Sequence, residues 1–263
     1  MWKLHRTPFQ EILDNIFEAL DSTRGKFAFP TVAGVARMKP GLVRRIVEEG
    51  HEVASHGFNH VRYTNLNDRD REMDLRLSLQ TFRKMRAPVS GFRAPYDRYT
   101  DDMPSLIDRQ GLVWDGGFGY REEYRGLTRF FHVHTLHGDS ETTFIPLNAM
   151  SDDLMIDGRG WGPQQVTSAL NAEVAKAAKA KGVVMFDLHP IRMGQEDFAP
   201  CLRDVAEYAQ KLGGWIPTPS EAVTYWNRHG RWKSDHEFCL LLTGDIDNWV
   251  FSDYLRRVIW RRG

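Results

Sequence analysis

The stretch 50-GHEVASHGFNH-60 places His56 and His60 four residues apart, so that both imidazoles can converge on one point from a single turn. Two neutral imidazoles and one carboxylate form a facial set for a divalent cation and leave positions free for water and a substrate oxygen; a structural ion would use up four protein ligands. Carboxylates occur late in the chain, in 243-TGDID-247, where only Ile246 separates Asp245 from Asp247. Hydrolysis at such a centre also needs a base to take a proton from water and an acid to protonate the leaving group. Asp245 suits the first role and His189 of 186-FDLHP-190 the second, while Arg93 of 91-GFRAPY-96 can hold the base ionised by charge pairing.

Each of these residues also has an ordinary explanation. An H-x-x-x-H pair without context is commonly an accident, and Asp245 or Asp247 could cap a helix that starts near 250. Arg93 could form a surface ion pair, Pro95 with Tyr96 could be a turn, and His189 could be a buried ring bonded to backbone. His132, His134 and His137 alternate in a strand-like region, but only Asp139 accompanies them at ligand spacing. What distinguishes the first set is its placement at the ends of expected strands.

Those strands follow from the patterning. Pro8 opens an apolar stripe of Ile12, Ile16, Phe17 and Leu20, which predicts a helix over about 8–22, followed by a strand at 26–32. A helix over 40–50, with proline at its start and glycine after it, delivers the chain into a strand at 51–56. The alternation continues with a helix over 68–86, a strand at 89–94, a helix over 103–110 and a strand at 112–116. Residues 117–160 are less regular, with strand-like pieces at 130–136 and 143–147 and a polar loop at 148–162 that could cover a site. An alanine-rich helix over 163–181, a strand at 183–189, a helix over 198–212, a strand at 214–218 and a helix over 220–227 come next. The chain closes with an apolar strand at 237–249 that runs into the two aspartates, and a helix over 251–260. This density of alternation implies an α/β fold with parallel strands, as an open sheet or a barrel, whose chemistry gathers at the C-terminal strand ends. No Pro/Gly linker divides residues 1–263, so one domain is expected.

Composition narrows the partners. Lys plus Arg equals Asp plus Glu at 35 each, which gives no general attraction to phosphate backbones and argues against a nucleic-acid partner. No run approaches a membrane span, and the first residues carry acids and a proline in place of a signal peptide, so a cytoplasmic location is expected. Two cysteines, Cys201 and Cys239, do not make a disulfide framework.

The combination of 50-GHEVASHGFNH-60, 93-RAPY-96, 188-LHP-190 and the closing 215-WIPTPSEAVTYW-226 resembles the polysaccharide deacetylase family, the NodB-homology or carbohydrate esterase 4 group. The resemblance implies a distorted (β/α) barrel of about seven parallel strands. It also implies a metal-dependent hydrolase that removes an acetyl or similar small acyl group from an amino sugar, with zinc the preferred ion. By the same resemblance Asp247 joins His56 and His60 as metal ligand, Asp245 is the general base, and Arg93 steers it. His189 is the general acid, Tyr96 offers a backbone N–H to the developing oxyanion, and Leu188 walls the acyl pocket. With Ile246 between them the two aspartates could exchange roles, and Asp152, Asp153 and Trp161 are candidates for tuning the acid histidine.

Members of this family ordinarily open on a strand ending in the acid pair. Here the pair arrives last, so the resemblance implies a circular permutation in which residues 237–263 supply the strand and helix normally found first. Alternatives on the same scaffold are hydrolysis of a ureide or formamide C–N bond, or an inactive member that binds carbohydrate. The lack of an export signal favours an intracellular glycan precursor as substrate.

Overall fold

A computed structural model describes residues 7–135 and 138–248. In α1 (Phe9–Asp21), Ile12, Ile16 and Leu20 recur on one face and are buried. Further helices are α2 (Pro40–Glu48), α3 (Asp68–Lys84), α4 (Met103–Arg109), α5 (Pro163–Ala180), α6 (Ala199–Lys211) and α7 (Pro219–His229). Their starts are encoded locally: prolines stand at the first positions of α2, α5 and α7, and the Asn67 side chain accepts the Asp70 N–H ahead of α3. The helix expected over 251–260 lies outside the described residues. No helix among the described residues is long and apolar enough to cross a membrane.

The strands are β1 (Phe27–Thr31), β2 (Glu52–Ser55), β3 (Gly91–Phe92), β4 (Trp114–Asp115), β5 (Thr143–Phe144), β6 (Val183–Asp187), β7 (Gly214–Trp215) and β8 (Phe238–Thr243). They form one parallel sheet in the order β5-β4-β3-β2-β1-β8-β6, and β7 pairs with the start of β8. The sheet curls into a half-barrel until the chain beyond β5 reaches β6, where Asn148 N–H donates to Met185 O at 2.9 Å. The last described strand therefore sits between the first strand and β6. Leu242 pairs with Phe27 on one side and Phe186 on the other.

Every residue of β8 is buried, as expected of a parallel strand covered on both faces. Phe238, Leu240 and Leu242 point into the layer beneath the helices, with Ile16 of α1, Leu170 of α5 and Val205 of α6. Cys239 and Leu241 point the other way, into a barrel interior filled by Trp114, Ile145, Leu147 and Met185. Both cysteines are buried and in no disulfide. Several expected strands are shorter than their apolar runs, β3 and β4 spanning two residues each, because the ladder stops where the chain turns into the functional loops. The polar loop at 148–162 contains a π-helical turn, Asp153–Gly158.

Candidate active site

The C-terminal strand ends converge as the alternation predicts. His56 directly follows β2, Arg93 follows β3, and Asp187 ends β6 with His189 two residues on. Asp245 and Asp247 follow β8, where Ile246 N–H donates to Pro30 O at 2.8 Å and Val32 N–H to Ile246 O at 3.1 Å. These bonds clamp the acid pair against the end of β1. Gly244 makes the turn possible on the other side: a Cβ built there would lie 2.0 Å from Leu188 O, so only a glycine lets β8 pass the backbone of the His189 segment.

The loop carrying His60 is held in a similar way. Gly57 has φ +72, and a Cβ on it would meet Asp74 Oδ2 at 2.8 Å. The Asp74 carboxylate, on α3, accepts Phe58 N–H at 2.7 Å, Asn59 N–H at 3.2 Å and the Tyr63 hydroxyl at 2.9 Å. His60 itself adopts φ 49, and its ring packs on that of Tyr96, with centroids 4.5 Å apart.

His60 Nε2 lies 3.0 Å and His56 Nε2 3.5 Å from Asp247 Oδ1, and the three ligand atoms all fall within 4.8 Å of one another. His56 Nδ1 is 2.9 Å from Arg93 O. A carbonyl can only accept, so Nδ1 carries the hydrogen and Nε2 of the neutral ring presents a lone pair to the site. Burial, followed by the neighbouring His60, pulls the His56 pKa down to about 3, which keeps the ring in its ligating form. Burial would raise Asp247, but the imidazoles of His60, His56 and His189 draw it well below the usual carboxylate range.

The His56 lone pair thus faces Asp247 Oδ1 and also Asp245 Oδ2 at 3.3 Å, acceptor against acceptor. Asp247 Oδ1 is buried and has no aligned hydrogen-bond donor among the described residues. This concentration of unanswered lone pairs, from two imidazoles and a carboxylate, fits a small divalent cation.

The remaining groups form a second cluster beside the first. Arg93 is fully buried, and its Nη1 donates to Asp245 Oδ1 at 3.0 Å and to Asp187 Oδ1 at 2.9 Å. Burial works against the guanidinium charge, but Asp245, Asp187 and Asp97 together hold it more firmly protonated than usual. Asp245 is raised well above its ordinary value by burial and then by the Asp187 charge. His189 is raised despite burial, because Asp187 and Asp152 favour its charged form. Its Nδ1 lies 2.8 Å from Asp152 Oδ1, in the loop after β5, which leaves Nε2 as the ring's other polar atom.

A cavity of about 420 Å³ exposes His56, His60, Tyr96, His189, Asp245 and Asp247 together. Of the residues expected from sequence, Leu188 does not line it. Leu188 is fully buried in the core beneath the helices because residues alternate sides along β6 and its continuation, and the apolar lining comes from Phe9, Leu147 and Ile191. Among the three tuning candidates, Asp152 reaches His189, Asp153 lines the cavity, and Trp161 packs against the core. His132 and His134 are not drawn into a metal-type cluster: His132 Nδ1 pairs with Ser140 O and His134 with Asp139, while His137 lies outside the described residues. Sequence reasoning missed Asp187 and Asp97. Both stand at or just beyond strand ends, the position that singled out the others.

Residues 6–113 match the sequence model of the polysaccharide deacetylase family. A chitooligosaccharide deacetylase from Sinorhizobium fredii is 32% identical over 103 residues, 37% of this chain and 46% of that protein, so the match spans less than half of the relative's own length. A putative polysaccharide deacetylase from Mycobacterium smegmatis shares the fold with a TM-score of 0.74 at 18% identity, over 85% of this chain and 79% of that one. A structure described as Puue allantoinase shares it with a TM-score of 0.72 at 16% identity, over 84% and 74% of the respective chains. Residues 6–113 thus carry a sequence signature similar to that of the polysaccharide deacetylase family, and the parallel half-barrel is the fold these structures share.

Proposed function

We propose that the protein is a metal-dependent hydrolase that removes an acetyl or similar small acyl group from an amino sugar. The observation that carries this reading is the apposition of the His56 lone pair and the buried Asp247 and Asp245 oxygens, beside a His189 whose charged form Asp187 and Asp152 favour. His56, His60 and Asp247 would hold the ion, for which zinc suits an imidazole-rich set. When bound, such an ion polarises a carbonyl and makes water more acidic.

The chain's own groups then divide the proton transfers. Asp245 takes a proton from the attacking water, for which its raised affinity for protons and its hydrogen bond to Arg93 suit it. His189, held charged by Asp152 and Asp187, gives a proton to the amide nitrogen as the C–N bond breaks, releasing a carboxylic acid and an amine. The rim of the cavity includes Tyr96, whose backbone adopts the left-handed conformation at φ 64. Retention of both histidines, both aspartates, Arg93 and His189 in one constellation favours an active member over an inactive one.

Two further readings belong with this function. The slot of β8 between β1 and β6 supports circular permutation, with residues 237–263 supplying the acid strand and belonging to the same domain as the rest. The likeness to a structure described as an allantoinase supports, as a second reading, a ureide substrate on the same groups. Assaying purified, zinc-supplemented protein on N-acetylated chitooligosaccharides, N-acetylhexosamines and allantoin separates them. Acetate release from the sugars is expected, ammonia-yielding or ring-opening turnover of allantoin alone would favour the second reading, and no turnover of any would contradict both.

A further inference from the structure

Asp187 ends β6 and has no counterpart among the roles expected from the sequence. It shares Arg93 Nη1 with Asp245, at 2.9 and 3.0 Å. A guanidinium Nη carries two hydrogens, so the two carboxylates consume both. The rest of Arg93 is also engaged, Nε with Gly116 O at 3.3 Å and Nη2 with Thr243 Oγ1 at 2.6 Å. The other Asp187 oxygen is near the histidine: Oδ2 lies 3.9 Å from His189 Nδ1, which is itself bonded to Asp152. Asp187 is therefore a buried carboxylate between the group that holds Asp245 and the ring of His189.

We propose that Asp187 is a positioning residue that fixes Arg93 in the orientation that serves Asp245 and, through its second oxygen, supports His189 from the strand side while Asp152 supports it from the loop side. The catalytic consequence rests on the hydrolase reading above; the positioning itself rests on the distances alone. Charged groups reach His189 from every neighbouring element: Asp152 and Asp153 from the loop after β5, Asp187 from its own strand, Asp245 and Asp247 from the end of β8, and Asp97 from the turn after β3. Arg192 opposes them, 3.5 Å from Asp152 Oδ2. Asp187 is the strongest of the carboxylate influences that favour the charged ring.

A competing role exists for the same atoms. Ligand atoms of Asp187, His189 and Asp245 lie within 4.8 Å of one another, a spacing that could admit a second cation. The guanidinium on both carboxylates argues against it, since a cation there would have to face the Arg93 charge.

The test compares wild-type protein with Asp187→Asn, which keeps the shape and removes the charge. The His189 ring, identified by its loss in His189→Gln, is titrated by NMR in zinc-supplemented samples, and total metal per chain is measured. The expected result is a His189 midpoint lowered by about one pH unit in Asp187→Asn, with unchanged metal content. On whichever substrate is turned over, kcat falls about tenfold with KM nearly constant, and the alkaline limb of the pH profile moves to lower pH. Asp187→Glu, which restores the carboxylate, regains part of kcat, and Asp187→Ser, which also removes the charge, serves for the titration if Asp187→Asn does not fold. Identical His189 titration in wild type and in the charge-removing variant would overturn the proposal, as would two cations per chain falling to one in Asp187→Asn. Because the titration needs no turnover, absence of hydrolysis would count against the functional reading and leave this one separately tested.

Discussion

The Arg93 guanidinium and the Asp245 carboxylate stand 152 positions apart in the chain and 3.0 Å apart in the site, joined by a nitrogen that is wholly buried. A lysine cannot reproduce that contact while also reaching Asp187, Thr243 and Gly116, since it offers one ammonium in place of a planar fork. Arg93→Lys is expected to fold and to bind metal, but to lower kcat about 100-fold by letting Asp245 drift. Steady-state kinetics beside metal analysis checks this; wild-type kcat in the variant would refute the role.

Gly244 gives a second, purely steric prediction. Its missing Cβ is what lets Leu188 O pass, with the His189 nitrogen close behind at 3.1 Å from the same point. Gly244→Ala is expected to lose about 3 kcal/mol of stability, or to separate β8 from β6 and abolish activity. Gly41→Ala in α2, where a Cβ would meet nothing within 4 Å, is the control and should be neutral or slightly stabilising. Denaturant unfolding of the two variants decides it.

The loop that presents His60 depends on Asp74. Removing its carboxylate leaves the Phe58 and Asn59 N–H groups and the Tyr63 hydroxyl without their acceptor. Asp74→Ala should cost roughly 2–3 kcal/mol and weaken metal binding at least tenfold, although Asp74 touches no metal ligand. A competitive chelator titration reads the second effect, and unaltered affinity would contradict the loop's dependence on α3.

A pH effect on stability arises far from the site, at His51. Its Nδ1 accepts the Phe27 N–H at 3.1 Å and its ring stacks on Phe17, so the folded protein requires the neutral form. Burial, aided by Lys26, lowers its pKa to about 4, while the unfolded ring titrates near 6.5. Between those values the unfolded chain binds the extra proton. Stability is therefore fully present above about pH 6.5 and is lost as the pH falls toward 4, by roughly 3 kcal/mol. Urea unfolding of wild type and His51→Gln from pH 7.5 to 4.5 should show a shallower dependence in the variant; equal slopes would rule the contribution out.

Much of this arrangement was legible in the sequence because its signals are local. Prolines at helix starts, the apolar stripe of α1 and the H-x-x-x-H spacing each report on a few neighbouring residues, and the strand-end rule then gathered His56, Arg93, His189 and Asp245. The place of β8 could be inferred only by resemblance, since no local pattern says that residue 242 pairs with residue 27. Leu188, expected by resemblance to wall the acyl pocket, lies in the core because side chains keep alternating past the end of β6. Asp187 escaped notice because a lone acid in an apolar strand reads as a defect until its partner, 94 positions away, is known. Asp152 could not be told from Asp153 because that choice depends on the π-helical turn of the intervening loop.

A cation shared by residues that follow β2 and β8 is the centre of the proposed chemistry. Purified protein, saturated with zinc and then dialysed, is measured for metal alongside His60→Ala and Asp247→Ala. One zinc per chain in the wild type, with affinity reduced at least 100-fold in both variants, is the predicted result. Zinc retained equally by wild type and Asp247→Ala, or by neither of them, would contradict it.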